Sequence, residues 1–503
     1  MENFKNIIVI FNDDHGQWAL PAYGNKDLNT PNLDYLAQKG VLMENAFTPT
    51  PVCSPARACF FTGRLASQHG LHDYIVSDKI HGNRDWLKNE VTLAQLLKAS
   101  GFQVALSGKW HLGNDIECQP GFDYWFALSG DYPTGHKGRY RYSMNGKIIE
   151  LSGYKTHMIT DRAVNFLHNR DQEKPFFLFV GYTATHSPWS DHPERLVEHY
   201  RHKKLLPLHE TPHYPFGKQN LESLNSSRLD PQEGLAHYYA AVSCLDESVG
   251  RLMDELETLE LTDSTLVIYT SDHGLCCGQH GIWGKGNGTM PLNMVEESIR
   301  IPLICYNPKK LFTGIRRIEF VDHLDLFQTL LDYADIKRNL ENEKTYPGRS
   351  FLPIITNEIL NKPWKNVQYC EYGNVRMARD FRYKLILHEP KGKNLFFDLM
   401  EDPNELCNLI SENMHLDRIN FMKRNLDSFF RQYEAEEKSG MRINDPEPSN
   451  YSSPWAKDKM FWNGNFSWYN TTEFYNELTK RSDPINAPKF KWNINFNYKD
   501  DKY

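Results

Sequence analysis

Short apolar runs alternate along the chain with longer stretches of helical periodicity. The apolar runs at residues 7–11, 102–107, 176–182 and 265–270 predict buried strands. This alternation is typical of α/β folds, in which helices cover both faces of a large and mostly parallel central sheet. The predicted helices lie at residues 31–39, 92–99, 158–168, 233–256 and 322–333.

The pattern changes near residue 371, and this change divides the chain into three predicted regions. Residues 1–370 carry the alternating pattern and form a large N-terminal domain. Residues 371–442 are predicted to form a small domain with an antiparallel sheet and a helix. Residues 443–503 are too aromatic for typical disorder, and we expect this tail to wrap the domain or a neighbouring subunit of a homo-oligomer. The elements predicted in the small domain are strands at 382–387 and 394–399 and a helix at 417–434.

The composition is that of an ordinary soluble globular protein. Of the 503 residues, 40% are hydrophobic and 24% are charged, and the formal net charge is -7. This mild negative charge argues against nucleic acid or an anionic membrane as the main partner. No apolar run approaches the roughly 20 residues of a membrane-spanning helix. A polyanionic substrate would therefore need a local basic pocket.

The N-terminal residues and the cysteines predict a compartment. The apolar run at residues 7–11 is too short for the core of a signal peptide, and no cleavage site follows it. The nine cysteines are an odd number and show no CxxC spacing, which fits free thiols in a reducing compartment. We therefore expect a cytoplasmic protein, or a periplasmic or secreted one if a signal was removed.

Two acidic clusters follow predicted strands at the points where the strands end. Asp13 and Asp14 come directly after the first strand, and Asp272 and His273 follow the strand at 265–270. Because ligands bind outside the carboxyl ends of the strands in open α/β sheets, we expect these side chains to share one site. Adjacent carboxylates repel each other unless a cation holds them, and their hard oxygens suit Ca²⁺ or Mg²⁺.

Basic side chains arrive at the same predicted edge. Lys109 and His111 lie in the run SGKWHLG at residues 107–113, and His186 follows the strand at 176–182. Several such clusters at one sheet edge are the pattern of a composite active site. The unperturbed pKa of histidine near 6.5 suits proton transfer there.

The most specific motif is PVCSPARACFFTGR at residues 51–64. It places Cys53 four residues before Arg57 at the start of a short apolar helix, where the positive helix end would activate a thiolate. Cys-x-Pro-x-Arg followed by Thr-Gly-Arg resembles the signature of the type I, formylglycine-dependent sulfatases of the alkaline phosphatase superfamily. The resemblance covers residues 5–435 and points to a bacterial carbohydrate sulfatase.

This resemblance implies a fold, a modified residue and a metal site. The implied fold is alkaline-phosphatase-like, with a smaller C-terminal domain. Cys53 would be converted after translation to formylglycine, an aldehyde whose hydrate is the nucleophile. A bound Ca²⁺, or alternatively Mg²⁺, would contact the oxygen of that residue. The ligands implied for the metal are Asp13, Asp14, Asp272, His273 and residue 53. Histidine is a less usual ligand for calcium than oxygen.

The resemblance also implies catalytic roles. Arg57 would polarise the nucleophile together with the metal, and Lys109 and Lys285 would hold the sulfate oxygens. His186 would bind the substrate and protonate the leaving alcohol, and His111 would assist the release of sulfate. Such a clamp of cations suits the charge of a sulfate ester and of its transition state. An unmodified cysteine could not release sulfate in this way, so a formylglycine-generating maturase is an expected partner, of the radical type in a reducing cytoplasm.

The substrate is predicted less sharply than the reaction. We assign His72 and Asp73 to substrate binding, and these loop residues and residues 131–139 either rim the pocket, where they suit sugar hydroxyls, or are polar loops. The stretch at 281–289 looks like that of carbohydrate-directed bacterial sulfatases. The expected substrate is a sulfated mono- or oligosaccharide, such as a galactose or N-acetylgalactosamine sulfate. The alternatives are a phosphonate monoester or phosphodiester hydrolase of the same superfamily, and an inactive glycan-binding protein.

Overall fold

The structure is a computed structural model. It describes residues 5–75, 85–129, 135–205, 212–220, 227, 230–337, 345–388, 393–441 and 468–469. The nine cysteines all lie in these ranges as free thiols. Within the same ranges, no helix combines the length and the apolar character needed to cross a bilayer.

A ten-stranded mixed sheet forms the centre of the molecule. The strands of the chain are β1 (Asn6–Asn12), β2 (Val41–Phe47), β3 (Gln103–Gly108), β4 (Tyr124–Leu128), β5 (Lys137–Met144), β6 (Lys147–Tyr154), β7 (Phe176–Gly181), β8 (Lys218–Asn220), β9 (Thr265–Ser271), β10 (Cys276–Cys277), β11 (Trp283–Gly284), β12 (Thr289–Met290), β13 (Leu303–Tyr306), β14 (Ile315–Asp322), β15 (Gln368–Tyr372), β16 (Val375–Arg379), β17 (Tyr383–His388), β18 (Leu395–Asp398) and β19 (Trp468–Tyr469). The central sheet has the order β14-β2-β13-β9-β1-β7-β3-β4-β5-β6. Its middle strands β9, β1, β7, β3 and β4 run parallel.

Helices cover both faces of this sheet. They are α1 (Pro31–Lys39), α2 (Cys53–Thr62), α3 (Ala66–His69), α4 (Leu93–Ala99), α5 (Lys155–Asn169), α6 (Glu194–Arg201), α7 (Pro231–Thr258), α8 (Glu296–Ile299), α9 (His323–Tyr333), α10 (Leu352–Ile355) and α11 (Leu416–Tyr433). Short 3₁₀ turns lie at Pro21–Tyr23, Thr262–Ser264, Gln279–Gly281, Gly286–Gly288, Asn413–His415 and Glu436–Lys438.

The two-residue alternation of β1 builds the two main cores. Ile7 and Val9 face a core that includes residues of α2, α4 and α9. Ile8 and Ile10 face the opposite core, to which α1, α5, α6 and α7 contribute. Because both faces of the strand are buried, its sequence is an unbroken apolar run, as expected for a central parallel strand. The predicted α/β fold class is confirmed.

Six strands of the central sheet were not predicted from the pattern. They are β2, β4, β5, β6, β13 and β14. In β5, Lys137, Arg139 and Arg141 are exposed, while the neighbouring Tyr140 and Tyr142 are buried. The exposed charged side chains hide the alternation of buried and exposed positions from sequence inspection. Part of the stretch that was expected at the rim of a pocket lies at the start of the hairpin β5–β6. Residues 131–134 of that expected rim lie outside the described residues.

A four-stranded antiparallel sheet follows the large one. It has the order β15-β16-β17-β18, and its last two strands and α11 match the elements predicted from the sequence. The first two strands precede them and begin at Gln368. Tyr372 and Met377 of this sheet share a core with Phe47 and Val52 of the large domain. The small sheet therefore packs directly on the part of the molecule that carries the Cys53 motif.

Two residues of the aromatic tail are described, and they form a strand. β19 pairs with β8, which in turn pairs with β12. Trp468 lies opposite Asn220, and Tyr469 lies opposite Gln219. The rest of the tail lies outside the described residues, so its predicted course stays a prediction.

Candidate active site

Four neighbouring strands of the central sheet end at the same level. Asn12 at the end of β1 pairs with Ser271 at the end of β9. On the other side, Phe11 pairs with Gly181 at the end of β7, and Gly181 pairs with Gly108 at the end of β3. The polar residues that follow these strands therefore meet at one edge, as the spacing predicted.

Helix α2 places Cys53 and Arg57 against this edge. Cys53 is the first residue of α2, and all ten residues of the helix are buried. Arg57 lies one turn further and donates from Nη2 to Asp272 Oδ2 at 3.2 Å and from Nη1 to the carbonyl of Lys109 at 3.1 Å. Its guanidinium also stacks over the ring of Phe11, 5.3 Å from the centroid. Arg57 thus ties the ends of three strands to the helix that carries Cys53.

Two lysines converge on Cys53 and the paired aspartates. Lys285 Nζ lies 2.6 Å from Asp14 Oδ1 and 3.0 Å from Cys53 Sγ. Lys109 Nζ forms a short ion pair with Asp13 Oδ2. Burial and Asp13 raise the pKa of the Cys53 thiol, but Lys285 and Lys109 outweigh them and hold it well below its usual range. The residues around position 53 therefore stabilise negative charge there.

The acidic residues form a group with the size of a metal site. One ligand atom from each of Asp13, Cys53, Asp272 and His273 lies within 4.8 Å of the others. The oxygen Asp13 Oδ1 is buried and accepts no hydrogen bond from the described residues. His273 Nδ1 donates to the carbonyl of Gly274 at 2.8 Å, which turns Nε2 toward the carboxylates. Carboxylate oxygens and an oriented imidazole are ligands that a divalent cation accepts.

The charges of this group also fit a cation. Asp14 belongs to a second, overlapping ligand group with Asp13, Cys53 and His186. Burial and the neighbouring Asp13 together raise the pKa of Asp272 to about 7, against the opposing effects of His273 and Arg57. Three buried carboxyl groups in one site repel one another, and a divalent cation among them relieves that repulsion. The residues present therefore fit the metal implied by the sequence.

Two histidines face residue 53 with different proton affinities. His111 is buried, and burial together with the charge of Lys109 lowers its pKa to about 4. Its Nε2 contacts the carbonyl of Ile75 at 2.9 Å. His186 is partly exposed, and its Nε2 lies 3.9 Å from Asp14 Oδ2. Burial lowers the pKa of His186, but Asp14 and other carboxylates raise it above its ordinary value. His111 is therefore suited to accept a proton and His186 to donate one.

Strained backbone occurs at two of these positions. Asp14 has φ 62° and His111 has φ 61°, in the left-handed region that residues with a Cβ rarely adopt. Such conformations persist only where the surrounding structure fixes them, and they cluster at functional sites. Gly108 precedes the second of these turns at φ 119°, and a Cβ there would lie 2.1 Å from the carbonyl oxygen of Gly181. Glycine is required here for β3 and β7 to end side by side.

The structure does not bring His72 and Asp73 into this group. Both are buried, at 4% and 0% exposure, so a sugar could not reach them without a rearrangement. His72 Nε2 contacts the carbonyl of Lys438 at 2.6 Å, and Asp73 Oδ1 accepts a hydrogen bond from Tyr372 at 2.6 Å. These contacts join the loop to the C-terminal part of the chain. These contacts give the two residues a structural role, and their assignment to substrate binding stays a prediction.

Two further residues support the site, namely His136, which the sequence pattern included only within the stretch 131–139, and Lys155, which it missed. His136 Nε2 donates to the carbonyl of His186 at 3.0 Å, and its ring stacks on His192 with centroids 4.5 Å apart. Lys155 begins α5, is 4% exposed and lies with Nζ 4.5 Å from the ring centroid of Tyr140. Burial and the nearby Lys109 lower its pKa to about 7. All lie on or beside the hairpin β5–β6, so finding them required recognising that hairpin.

Comparison with known proteins agrees with this geometry. The sequence profile of the Sulfatase family matches residues 5–336. The chain belongs to the sulfatase family. A second profile, N-sulphoglucosamine sulphohydrolase, C-terminal, matches residues 278–432 of this sulfatase. The expected family is thereby confirmed, and with it sulfuric ester hydrolase activity.

Individual relatives cover most of the chain. An N-acetylglucosamine-6-O-sulfatase of Bacteroides thetaiotaomicron is 27% identical over 85% of this sulfatase and 86% of its own length. A structure solved with its substrate D-glucosamine-2-N,6-O-disulfate superposes with a TM-score of 0.74 at 25% identity, covering 89% of this chain and 99% of that one. A phosphonate monoester hydrolase of Agrobacterium radiobacter shares the fold, with a TM-score of 0.64 at 20% identity over 85% and 96% of the two chains.

Proposed function

We propose that this sulfatase hydrolyses a sulfate ester carried by a sugar, using a formylglycine made from Cys53. The observation that carries the proposal is the position of Cys53 Sγ, which lies 3.0 Å from Lys285 Nζ and 3.3 Å from His273 Nε2. The Sγ atom marks where the oxygen of formylglycine would stand. One basic residue and one residue of the metal group thus already contact the reacting position.

The basic residues suit a sulfate group bound at this position. A sulfate monoester carries one negative charge, and further charge develops on the leaving oxygen as the S–O bond breaks. Lys285 and Lys109 would hold the non-bridging oxygens, and Arg57 would support them from below through its fixed hydrogen bonds. Because the cations are buried and oriented before substrate arrives, little reorganisation is needed during the reaction.

The histidines would move the protons. Formylglycine supplies a hydrated aldehyde with two hydroxyl groups, one to attack sulfur and one to drive the later release of sulfate. His186 would donate its proton to the departing alcohol oxygen, since its raised pKa keeps it protonated near neutral pH. His111 would accept the proton of a hydroxyl at residue 53 through Nδ1, because Nε2 is already held by the carbonyl of Ile75.

Ca²⁺ is the proposed metal, with Mg²⁺ as the alternative. Asp13, Asp14, Asp272 and His273 would hold it, and the ion would supply positive charge beside residue 53. Ca²⁺ tolerates irregular shells of six to eight ligands, whereas Mg²⁺ demands near-octahedral geometry. The crowded, mixed ligand group favours the more adaptable ion.

The proposed substrate is a sulfated mono- or oligosaccharide. The names of the relatives support a sugar, and N-acetylglucosamine-6-sulfate joins the galactose and N-acetylgalactosamine sulfates as a candidate. A formylglycine-generating maturase is the proposed partner. Association of two chains through the aromatic tail remains a proposal, while the pairing of β19 with β8 supports the alternative that the tail wraps its own chain.

The decisive experiment compares ester classes on matured protein. Conversion of Cys53 is first verified by mass spectrometry, and kcat/KM is then measured on N-acetylhexosamine and galactose 6-sulfates, 4-nitrophenyl sulfate and a 4-nitrophenyl phosphonate. We expect turnover of at least one sugar sulfate, and faster turnover of the aryl sulfate than of the phosphonate. Preference for the phosphonate would establish the rival hydrolase. Binding of sugar sulfates without turnover by fully converted protein would establish a glycan-binding protein instead.

A further inference from the structure

A main-chain carbonyl determines which nitrogen of His111 carries hydrogen. His111 Nε2 lies 2.9 Å from the carbonyl oxygen of Ile75. A carbonyl oxygen only accepts, so Nε2 must donate, and the neutral imidazole then keeps its lone pair on Nδ1. With Nε2 held by this carbonyl, Nδ1 is the nitrogen left to interact with the side chain of Cys53, which raises the pKa of His111. The position of the Ile75 carbonyl therefore decides whether His111 can accept a proton from residue 53.

The loop that carries this carbonyl is fixed by the small C-terminal sheet. Ile75 N donates to Ser54 Oγ at 3.0 Å, which sets the loop against the start of α2. Two residues earlier, Asp73 Oδ1 accepts from Tyr74 N at 2.8 Å and from the hydroxyl of Tyr372 at 2.6 Å. Asp73 and Tyr372 are both 0% exposed. The hydroxyl of Tyr372 therefore holds the carboxylate that shapes the turn leading to Ile75.

Further hydrogen bonds join the same region to the C-terminal part of the chain. Ser67 N donates to Glu371 Oε1 at 2.7 Å, and Ala435 N donates to the carbonyl of Ser67 at 3.0 Å. His72 Nε2 lies 2.6 Å from the carbonyl of Lys438. These bonds anchor the segment before Asp73, and the contact between Tyr372 and Asp73 continues this anchoring into the turn that leads to Ile75.

We propose that Tyr372 and Asp73 are positioning residues for His111, through the turn at residues 73–75. Neither touches the reacting atoms. Their hydrogen bond keeps the Ile75 carbonyl within reach of Nε2, and so keeps Nδ1 aimed at residue 53. The inference rests on the proposed function of His111, and it gives the C-terminal sheet a part in the reaction.

The first test is Tyr372→Phe in protein with verified conversion of Cys53. We expect kcat on 4-nitrophenyl sulfate to fall about tenfold, the equivalent of one lost hydrogen bond, with KM nearly unchanged. The matched control is Tyr369→Phe on the same strand, whose ring stacks on Phe429 with centroids 4.1 Å apart. Asp73→Asn keeps an acceptor oxygen and should retain most of the activity, whereas Asp73→Ala should not.

A double-mutant cycle separates positioning from a general loss of structure. If Tyr372 acts through His111, Tyr372→Phe has no further effect on kcat in a His111→Ala background. Multiplicative losses in the double variant, or an equal loss in Tyr369→Phe, would overturn the inference. So would a wild-type kcat in Tyr372→Phe.

A measurement without turnover keeps the inference apart from the proposed function. Nitrogen NMR of histidine-labelled protein reports the tautomer of each imidazole, and we expect His111 to be protonated at Nε2 in the wild type. In Tyr372→Phe the signals should move toward a mixture of tautomers. An unchanged His111 signal would reject the positioning role even if the enzyme proved to hydrolyse a different ester.

Discussion

The ammonium group of Lys285 lies 3.0 Å from the Sγ atom of Cys53, across 232 positions of sequence. The same nitrogen contacts Asp14 Oδ1 at 2.6 Å, so it bridges the metal group and the reacting residue. Burial would lower the pKa of Lys285, but Asp14 and the neighbouring anions raise it well above its usual range. The lysine is therefore charged at any pH at which the enzyme would work.

Replacing this lysine should remove transition-state stabilisation. We expect Lys285→Met to lower kcat about 10²–10³-fold on 4-nitrophenyl sulfate, the loss typical of removing one preorganised donor. The control is Lys174→Met, since the side chain of Lys174 is 57% exposed and forms an ion pair with nearby Asp171. Full activity of Lys285→Met protein in which Cys53 has been converted would show that Lys285 does not bind the sulfate group.

Removing His186 should lower the rate more for esters whose alcohol is a poorer leaving group. In His186→Gln, hydrolysis of a sugar sulfate should fall about 10²–10⁴-fold, because an alkoxide needs a proton to depart. Hydrolysis of 4-nitrophenyl sulfate should change far less, because the phenolate is stable without one. The ratio of the two rates is the measurement. An equal loss on both esters would mean that His186 binds the substrate and does not act as the acid.

Chelation should remove both activity and stability. Treatment with EDTA should abolish turnover, and added Ca²⁺ should restore it more fully than Mg²⁺. The Tm should rise with the metal concentration, since a ligand that binds only the folded state at 100 times its Kd adds about 2.7 kcal/mol of stability. In Asp13→Asn the metal-dependent shift should be much smaller. Retention of full activity after exhaustive chelation would contradict a metal site.

A buried ion network should stabilise the contact between the two sheets. Lys384 Nζ lies 2.8 Å from Glu296 Oε1 and 2.7 Å from Glu405 Oε1. Removing the lysine leaves two buried carboxylates, so Lys384→Met should lower the free energy of unfolding by about 3–5 kcal/mol in urea titrations. Lys423→Met, on the exposed side of α11, should change it little. A Lys384→Met protein as stable as the control would show that the network contributes nothing.

The same network predicts how the free energy of unfolding changes with pH. Burial raises the pKa of Glu296, but Lys384 and Arg379 outweigh it and hold that pKa well below its usual value of 4.5. A depressed folded-state pKa stabilises the fold above pH 4.5, and this contribution is lost as the pH falls below it. The difference in stability between wild type and Lys384→Met should therefore shrink on acidification.

The tail should affect sugar substrates more than small ones. β19 lies one strand away from β12, and β12 begins four residues after Lys285. Truncation before Asp445 should therefore raise KM for a sulfated oligosaccharide while leaving KM for 4-nitrophenyl sulfate unchanged. Mass measured in solution on the same variant tests the proposed homo-oligomer. If the truncated and the full-length protein had the same KM for the oligosaccharide and the same KM for 4-nitrophenyl sulfate, the tail would not be part of the substrate site.

The reacting group could be predicted because its residues stand at the ends of strong apolar strands. Asp13 and Asp272 follow runs buried on both faces, and such runs are recognisable from the sequence alone. The roles of Asp73 and Tyr372 could not be predicted in this way. They lie 299 positions apart, and only the packing of the second sheet makes them partners. A polar loop residue looks the same in sequence whether it faces a sugar or a buried tyrosine.

The hydrogen bonds between the loop at residues 73–75 and the C-terminal sheet also determine the order in which parts of the chain can fold. Cys53 is 2% exposed in the folded chain, so the proposed maturase would have to reach it before the chain finishes folding. Tyr372 leaves the ribosome 299 residues after Asp73, an interval of roughly 15–60 s at about 5–20 residues per second. Throughout that interval the motif at residues 51–64 has already been synthesised, but the sheet that completes the loop has not. Synthesis of the small domain would therefore limit the time available for the proposed conversion of Cys53, and slower translation between the two segments would lengthen that time.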